Sequence, residues 1–226
     1  MKKKYAIIVA GGKGLRMKTD IPKQFLLLNG LPVLMHTIRV FYHFDSSIEI
    51  ILVLPKEQQN YWSDLCKQHH FTISHHIADG GETRFHSVKN GLQLIKEESL
   101  VAIHDGVRPL VSGHLISKAF RQAEIHQASY PVIPVVDTLR KYTSENESQI
   151  VDRSKYCLVQ TPQVFCSEVI IKAYQLPFSE YFTDDISVVE KKGNCKPIMI
   201  DGCRENIKIT TPIDLTVAET LLKCRI

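Results

Sequence analysis

Short, almost continuously apolar segments alternate with amphipathic segments of helical length along most of this chain, and this alternation restricts the fold more than any other feature. Segment 48–54, IEIILVL, contains a single charged residue, which is typical of a strand buried on both faces of a parallel sheet. We expect strands at 4–10, 48–54, 73–77, 100–104 and 130–136, and helices at 32–44, 56–68, 83–97, 112–128, 167–175, 184–193 and 212–224. The sequence therefore predicts an α/β fold with right-handed crossovers and a mostly parallel, twisted sheet, whose ligands bind at the carboxyl ends of the strands.

One stretch, 137–165, departs from that alternation. The polar, turn-forming segment 143–149 separates two short segments with strand character, 138–142 and 150–153. The stretch is therefore predicted to be a β-hairpin arm that projects from a single domain covering residues 1–226. Because an isolated two-stranded arm is only marginally stable in water, it needs a surface to pack on. We expect a second subunit to supply that surface in a homodimer, the alternative being an arm folded back on its own domain.

The charge and the cysteine content limit the partners and the compartment. The formal net charge is +4, and no long run of Lys and Arg marks a nucleic-acid surface, so the expected partner is an anionic small molecule. No apolar stretch approaches the ~20 residues that span a bilayer, so no membrane partner is expected. None of the six cysteines belongs to a Cys-x-x-Cys pair. These features predict a cytoplasmic protein with reduced thiols.

A glycine-rich segment, AGGKGLRM, follows the first predicted strand. Glycine lets backbone N–H groups approach phosphate oxygens closely, and Arg16 and Lys23 add positive charge beside it. This combination favours the binding of a nucleoside triphosphate. The alternative is a turn with a purely structural role. A P-loop would need Ser or Thr where this chain has Gly14. A dinucleotide-binding loop would need a third glycine where this chain has Met17, which argues against an NAD-dependent oxidoreductase.

Further candidates for the same site lie later in the chain. Asp105 ends a predicted strand, where its carboxylate could bind Mg²⁺ or simply pair with Arg108 in a turn. Gly81 precedes a predicted helix and could offer its N–H to a base or a phosphate, with helix capping as the alternative. Thr183 stands at the start of another helix, where capping is a sufficient explanation. Lys208 lies between two isoleucines of a predicted late strand, and the sequence does not determine which face of that strand meets the site.

Together these segments resemble the sugar-phosphate cytidylyltransferases, and most closely those that act on 2-C-methyl-D-erythritol 4-phosphate in the non-mevalonate isoprenoid pathway. The resemblance covers nearly the whole chain and rests on segments in a fixed order: AGGKGLRM, PKQF, DGGETRFHSV, HDGVRP, VVDTLRK, VDRSKYCLVQTPQVF, TDDISVVE and ENIKITTP. It implies a Rossmann-like nucleotidyltransferase core with a projecting arm, and a homodimer. The implied reaction transfers CMP from CTP to a polyol phosphate, with Mg²⁺, and releases pyrophosphate.

The resemblance also implies roles for individual residues. Catalytic contact with the phosphates is implied for Arg16, Lys23 and Lys208. Contact with CTP is implied for Ala10, Gly11, Gly12, Gly14, Gly81, Glu82, Ser87 and Arg108. Contact with the sugar phosphate is implied for Asp105, Thr161, Thr183, Lys208 and, from the neighbouring subunit, Thr138 and Arg153, and Asp105 is also the implied Mg²⁺ ligand. Since Glu82 stands where the family often has aspartate, base contact there is expected through the main chain.

The expected reaction needs no general base, because a phosphate monoester is already largely ionised near neutral pH.

Two other functions remain open at this point. Ribitol 5-phosphate cytidylyltransferases share most of these segments, so ribitol 5-phosphate is the alternative acceptor. A CTP-binding regulator without catalytic activity is the alternative from a different class.

Overall fold

The computed structural model describes residues 2–12 and 21–224, and an eight-stranded sheet forms its centre. The strands are β1 (Lys3–Val9), β2 (Leu27–Leu28), β3 (Leu31–Pro32), β4 (Glu49–Leu54), β5 (His76–Asp79), β6 (Ser99–Asp105), β7 (Ala128–Pro134), β8 (Arg140–Tyr142), β9 (Ser148–Ile150), β10 (Cys157–Val159), β11 (Gln163–Cys166) and β12 (Ile198–Asp201). The helices are α1 (Val33–Phe44), α2 (Lys56–Gln68), α3 (Arg84–Leu92), α4 (Gly113–His126), α5 (Ser167–Ala173), α6 (Asp185–Lys192) and α7 (Pro212–Lys223). The sheet runs β5, β4, β1, β6, β11, β7, and both β10 and β12 also pair with β7.

The part of the sheet formed by β5, β4, β1 and β6 is parallel throughout. Ile7 in β1 lies opposite Ile51 in β4 and Ile103 in β6. Beyond β6 the direction changes, because β11 pairs antiparallel with both β6 and β7, while β12 pairs parallel with β7. The predicted α/β fold with a mostly parallel sheet is confirmed.

The central strands are buried on both faces because both faces are apolar. Neighbouring side chains of a strand point to opposite faces, and Ile7 and Ile8 are both fully buried. Every residue of β6 is buried as well. Helices therefore cover both sides of the sheet. No helix in the described part of the chain is both long and apolar enough to cross a lipid bilayer.

The predicted helices are all present, with small differences at their ends. The largest difference is at α3, which ends at Leu92 because the next three N–H groups bond three residues back instead of four. The strand predicted at 73–77 begins later, at His76. The sequence pattern did not predict β10, β11, β12 or the short β2–β3 ribbon, which lack long apolar runs.

The hairpin of β8 and β9 forms a two-stranded sheet of its own. Arg140 pairs with Ile150, and Tyr142 with Ser148. The side chains of Tyr142 and Ile150 are 82% and 65% exposed. The hairpin is shorter than the predicted excursion 137–165, because β10 and β11 return to the central sheet, where Phe165 is fully buried.

The carboxyl ends of the parallel strands bring distant segments of the chain side by side. The N–H of Ala10 donates to the carbonyl of Val53 at 3.0 Å, and the N–H of Gly106 donates to the carbonyl of Val9 at 2.9 Å. The N–H of Gly80 donates to the carbonyl of Leu54 at 2.7 Å. These bonds extend the parallel ladder past the ends of the strands, so that the residues after β1, β5 and β6 form one edge.

Candidate active site

A cavity of about 210 Å³ opens at this carboxyl edge and is called the glycine cavity below. Its lining residues are Val9, Ala10, Gly11, Gly12, Lys23, Gln24, Gly81, Glu82, Thr83, Arg84, Ser87, Asp105, Val107 and Lys208. Most of the predicted site residues before position 106 are among them, and so is Lys208. Gly14 and Arg16, which the sequence assigned to the same site, lie outside the described residues.

A second cavity of about 250 Å³ adjoins the first and is called the threonine cavity. Its lining residues are Arg84, Asp105, Arg108, Val159, Gln160, Thr161, Gln163, Thr183, Asp184 and Lys208. The predicted residues Arg108, Thr161 and Thr183 therefore lie here. Arg84, Asp105 and Lys208 line both cavities, so these two spaces share one charged wall.

The carboxylate of Asp105 lies at this shared wall and faces three cationic side chains. Its Oδ2 is 3.0 Å from Nζ of Lys208 and 3.2 Å from Nε of Arg108. Its Oδ1 is 3.7 Å from Nε of Arg84. Burial alone would raise the pKa of Asp105, but the charges of Arg84, Lys208 and Arg108 outweigh burial and hold this pKa well below its usual range. Asp105 is therefore ionised at neutral pH.

Lys208 reaches Asp105 because its two isoleucine neighbours pack elsewhere. Ile207 and Ile209 contact a small apolar cluster, and the N–H of Ile209 donates to the carbonyl of Val107 at 2.9 Å. The sequence suggested a late strand here, but residues 206–210 form no strand in the structure. Side-chain bonds also hold the segment, including one from Nη1 of Arg108 to the carbonyl of Asn206 at 2.8 Å. The packing of Ile207 and Ile209 against this cluster leaves the side chain of Lys208 facing the cavities. This is the orientation that the sequence alone did not determine.

Lys23 enters the glycine cavity from a short 3-10 helix, Lys23–Phe25. Gln24 fixes this helix, because its Nε2 donates to the carbonyl of Ala10 and to Oε1 of Gln58, each at 2.7 Å. The ring of Phe25 packs edge-on against Tyr61 of α2. The local fold thus places a buried lysine next to the glycine segment.

Gly81 and Ser87 form a closed turn at the start of α3. The N–H of Gly81 donates to Oγ of Ser87 at 3.0 Å, and this hydroxyl donates to the carbonyl of Thr83 at 3.0 Å. A Cβ at position 81 would lie 2.4 Å from Cβ of His86, so only glycine fits. Thr83 caps the helix, its side chain accepting from the N–H of His86. This segment therefore both caps α3 and lines the glycine cavity.

The hydroxyl of Thr161 is hydrogen-bonded to two residues at the end of β6, Asp105 and His104. The hydroxyl of Thr161 accepts from the N–H of Asp105 at 3.1 Å and lies 3.0 Å from Nδ1 of His104, whose Nε2 lies 3.1 Å from the carbonyl of Arg108. Burial lowers the pKa of His104 to about 4. The neutral ring therefore donates from Nε2 to Arg108 and accepts from Thr161 at Nδ1. The Thr161 hydroxyl is thus already engaged by protein groups where it meets the threonine cavity.

Thr183 precedes α6 and does not cap it. Asp184 is the cap, since its carboxylate accepts from the N–H of Ser187 at 2.9 Å within a capping box. The capping explanation for this segment is therefore correct for Asp184. Thr183 contributes to the threonine cavity beside it.

Thr138 and Arg153 line neither of these two cavities in this chain. Thr138 is exposed between β7 and the hairpin, and the guanidinium of Arg153 donates to the carbonyl of Val136. The structure of the single chain brings together the core residues of the predicted site but not these two.

The sequence analysis did not identify Gln24 or Arg84 as site residues. Both stand inside the quoted segments PKQF and DGGETRFHSV, and that position was the available signal. Gln24 is 1% exposed, and Arg84 binds a carboxylate 101 residues away along the chain. Neither partner is evident from local sequence patterns.

Comparisons with known proteins identify the family of the chain. The sequence profile of the family described as 2-C-methyl-D-erythritol 4-phosphate cytidylyltransferase matches residues 5–224. A protein of that name from Azobacteroides pseudotrichonymphae is 59% identical over 222 residues, which cover 98% of this chain and all of the relative. Another of the same name, from Phocaeicola vulgatus, is 57% identical over 97% of this chain and 99% of the relative.

Solved structures show the same relationship. A 4-diphosphocytidyl-2C-methyl-D-erythritol synthase from Anaerococcus prevotii matches with a TM-score of 0.82 and 29% identity over 98% of this chain and 96% of that one. A 2-C-methyl-D-erythritol 4-phosphate cytidylyltransferase from Thermus thermophilus matches with a TM-score of 0.79 and 29% identity over 99% of this chain and all of that one. These comparisons favour neither the ribitol phosphate enzyme nor the inactive regulator. On the extent of these matches, the chain belongs to the 2-C-methyl-D-erythritol 4-phosphate cytidylyltransferase family and is an enzyme, a nucleotidyltransferase.

Proposed function

We propose that this chain transfers the cytidylyl group of CTP to the phosphate of 2-C-methyl-D-erythritol 4-phosphate, with CTP in the glycine cavity and the sugar phosphate in the threonine cavity. The observation that carries this proposal is the shared wall of Arg84, Asp105 and Lys208. Two substrates bound on either side of that wall would present their phosphates to Lys208, which lines both cavities. The family of the chain supplies the identity of the two substrates.

The reaction is a displacement at phosphorus. A phosphate oxygen of the sugar phosphate forms a bond to the α-phosphorus of CTP, and the bond from that phosphorus to the β-phosphate oxygen breaks, releasing pyrophosphate. No proton needs to be removed from the nucleophile, because the phosphate monoester is already largely ionised near neutral pH. The protein therefore contributes by positioning and by stabilising negative charge.

The glycine cavity supplies groups that suit a triphosphate and a base. The main chain of Ala10, Gly11 and Gly12 lines this cavity beside the buried side chain of Lys23. The turn at Gly81 offers a compact main-chain surface for the cytosine ring. Lys23, together with Arg16, would stabilise the charge that develops on the phosphates.

The threonine cavity supplies groups that suit the acceptor. Arg108 and Lys208 stand at its wall next to Asp105. Their charges would hold the acceptor phosphate in line with the α-phosphorus. Thr138 and Arg153 would reach the same acceptor from the arm of a second subunit.

Asp105 would hold Mg²⁺, because its carboxylate lines both cavities and would lie beside the phosphates of either substrate. Mg²⁺ at nucleotide sites is usually held by one or two carboxylates, with phosphates and water completing the shell. No group of three or more His, Cys, Asp or Glu side chains in residues 2–12 and 21–224 is arranged to hold a metal ion without a substrate. The phosphates of CTP would therefore supply most of the ligands. When bound, the ion would neutralise part of the phosphate charge.

A homodimer in the cytoplasm completes the proposal. Exposed apolar side chains cluster on the arm and beside it, among them Tyr142, Ile150 and Leu158. A hairpin that pairs only within itself gains stability by burying such residues. A second copy of the chain is the partner that would do so.

The experiment that tests the function follows pyrophosphate release. Purified protein with CTP, Mg²⁺ and 2-C-methyl-D-erythritol 4-phosphate should release pyrophosphate at one equivalent per acceptor consumed. Ribitol 5-phosphate at the same concentration should give little release. CTP binding without turnover with either acceptor would contradict the proposal and support a regulator instead.

A further inference from the structure

A bidentate ion pair joins the start of α3 to the start of α6. Nη1 of Arg84 donates to Oδ1 of Asp185 at 2.8 Å, and Nη2 donates to Oδ2 at 2.7 Å. Asp185 is completely buried, whereas Arg84 is partly exposed where it lines the two cavities. The pair therefore reaches from the core of the protein to the wall of the site.

Two further residues, Gln163 and Tyr174, hold Asp185 in place. Oε1 of Gln163 accepts from the N–H groups of Asp185 and Ile186 at 3.0 and 3.1 Å. The hydroxyl of Tyr174 donates to Oδ1 of Asp185 at 2.5 Å. Burial and the neighbouring Asp185 charge raise the pKa of Tyr174 well above its ordinary value, so the phenol keeps the proton that it donates. The carboxylate has little freedom to move.

The same guanidinium also faces the reaction centre. While Nη1 and Nη2 bind Asp185, Nε lies 3.7 Å from Oδ1 of Asp105. The other oxygen of Asp105 contacts Lys208 and Arg108. One arginine therefore connects a fixed buried anion to the carboxylate that the two cavities share.

We propose that Arg84 and Asp185 are positioning residues for cytidylyl transfer: Asp185 fixes the guanidinium of Arg84, and Arg84 in turn fixes the orientation of the Asp105 carboxylate and with it the position of Lys208. This inference rests on the proposed function. Because Asp185 neutralises its charge, Arg84 acts on the substrates through Asp105. The pair also links the loop before α3, on the CTP side, to Thr183, on the acceptor side.

The geometry of the ion pair predicts which kinetic constant should change when the pair is lost. The orientation of Asp105 and Lys208 matters when the two phosphates meet, and less when CTP binds alone. A misplacement of about 1 Å at a reacting group can lower a rate by about 100-fold. Loss of the pair should therefore lower kcat and leave the affinity for CTP nearly unchanged.

The test compares Asp185→Asn, Arg84→Lys and Ser129→Ala with the wild-type protein. Asp185→Asn keeps the shape and removes the charge, and Arg84→Lys keeps the charge but cannot bridge two carboxylates. Each should lower kcat about 10- to 100-fold, with a dissociation constant for CTP, measured by calorimetry, within about threefold of wild type. Ser129→Ala is the control, because it removes a buried hydrogen bond, from Oγ of Ser129 to the carbonyl of Ala119 at 2.7 Å, at a residue that lines neither cavity. It should reduce thermal stability but keep kcat within about twofold.

The outcomes separate this inference from the proposed function. If the wild type fails to turn over 2-C-methyl-D-erythritol 4-phosphate, the proposed function and the positioning role both fail. If the wild type is active and Asp185→Asn or Arg84→Lys keeps its kcat, only the positioning role is overturned. A kcat for Ser129→Ala as low as that of Asp185→Asn, with the same loss of thermal stability in both variants, would also overturn it, since the effect would then be one of stability. Circular dichroism at the assay temperature checks that every variant is folded.

Discussion

The environment of Lys23 is unusual for a lysine side chain. Its side chain is only 8% exposed, although lysine is rarely buried in proteins. A Cβ on Gly12 would lie 3.6 Å from Cε of Lys23, so the lysine stem passes directly beside the glycine segment. A buried lysine beside a glycine segment that lines the same cavity is suited to an anion.

We expect Lys23→Ala to lower kcat about 100- to 1,000-fold, because it removes a fixed charge that stabilises the transition state. Steady-state pyrophosphate release measures the effect. Lys56→Ala is the control, since Lys56 is exposed at the start of α2 and lines neither cavity, and its kcat should stay at the wild-type value. Near-normal turnover of Lys23→Ala would show that the charge has no catalytic role.

At the residue scale, the sequence predicted the groups of the site better than their partners. Lys23, Gly81 and Asp105 were identified because glycine segments and strand ends have local signatures. The face of Lys208 was left open, because it depends on where Ile207 and Ile209 pack. Arg84 was missed for a similar reason, since its partner Asp185 becomes a neighbour only after folding.

At the scale of elements, burial decided which predictions were accurate. Strands β1, β4 and β6 have long apolar runs and were predicted nearly to their ends. In β12 only Ile200 is buried, so its four residues give a weak pattern. β11 was assigned to the arm because it follows the polar hairpin closely, although its apolar residues belong to the sheet.

Asp45 links two of these elements and should make stability depend on pH. Its Oδ2 accepts from Nζ of Lys4 in β1 at 2.7 Å, and its Oδ1 accepts from the hydroxyl of Ser47 at 2.6 Å, just after the end of α1. The hydrogen bond from Lys4 and those from Ser47 lower the pKa of Asp45 from 3.8 to about 2. The unfolded chain therefore binds more protons in that range. The contribution is complete above about pH 4 and is lost as the pH falls through 2.

We expect Asp45→Asn to lower the free energy of unfolding by about 1–2 kcal/mol at pH 7, and by less as the pH falls from 5 to 2. Urea unfolding at several pH values measures the difference from wild type. Asp64→Asn is the control, because Asp64 pairs with Lys67 on an exposed surface where ion pairs contribute little. A difference for Asp45→Asn that stays constant over this pH range would rule out the ion pair as its cause.

At the scale of the whole molecule, the hairpin arm lies apart from the two cavities of its own chain. The single chain holds two cavities with a common wall, but the predicted acceptor contacts Thr138 and Arg153 line neither of them. The sequence predicted a homodimer on the basis of an arm that needs a partner, and this stays a prediction. Which core an arm serves depends on contacts between subunits, which local sequence patterns do not encode.

Mixed dimers test whether the arm acts between subunits. Lys23→Ala and Arg153→Ala chains, carrying different affinity tags, are co-expressed, and the mixed dimer is purified. If each arm serves the neighbouring core, one site of this dimer has both a normal Lys23 and a normal Arg153, so activity should recover to about half of wild type at low acceptor concentration. If each arm serves its own core, no site is intact and the activity should stay near that of the parent variants. Failure to isolate a mixed dimer, with a monomer in sedimentation experiments, would contradict the homodimer itself.

The wall of Arg84, Asp105 and Lys208 that separates the two cavities has a consequence for inhibitor design. A compound that joins a cytidine group to a polyol through a non-hydrolysable phosphate analogue could fill both spaces at once. Such a compound would lose its rigid-body freedom only once while gaining contacts on both sides, which is the usual basis of tight binding by linked ligands. Its linker would have to pass Lys208, which lines both cavities, so an anionic linker is the chemistry to choose.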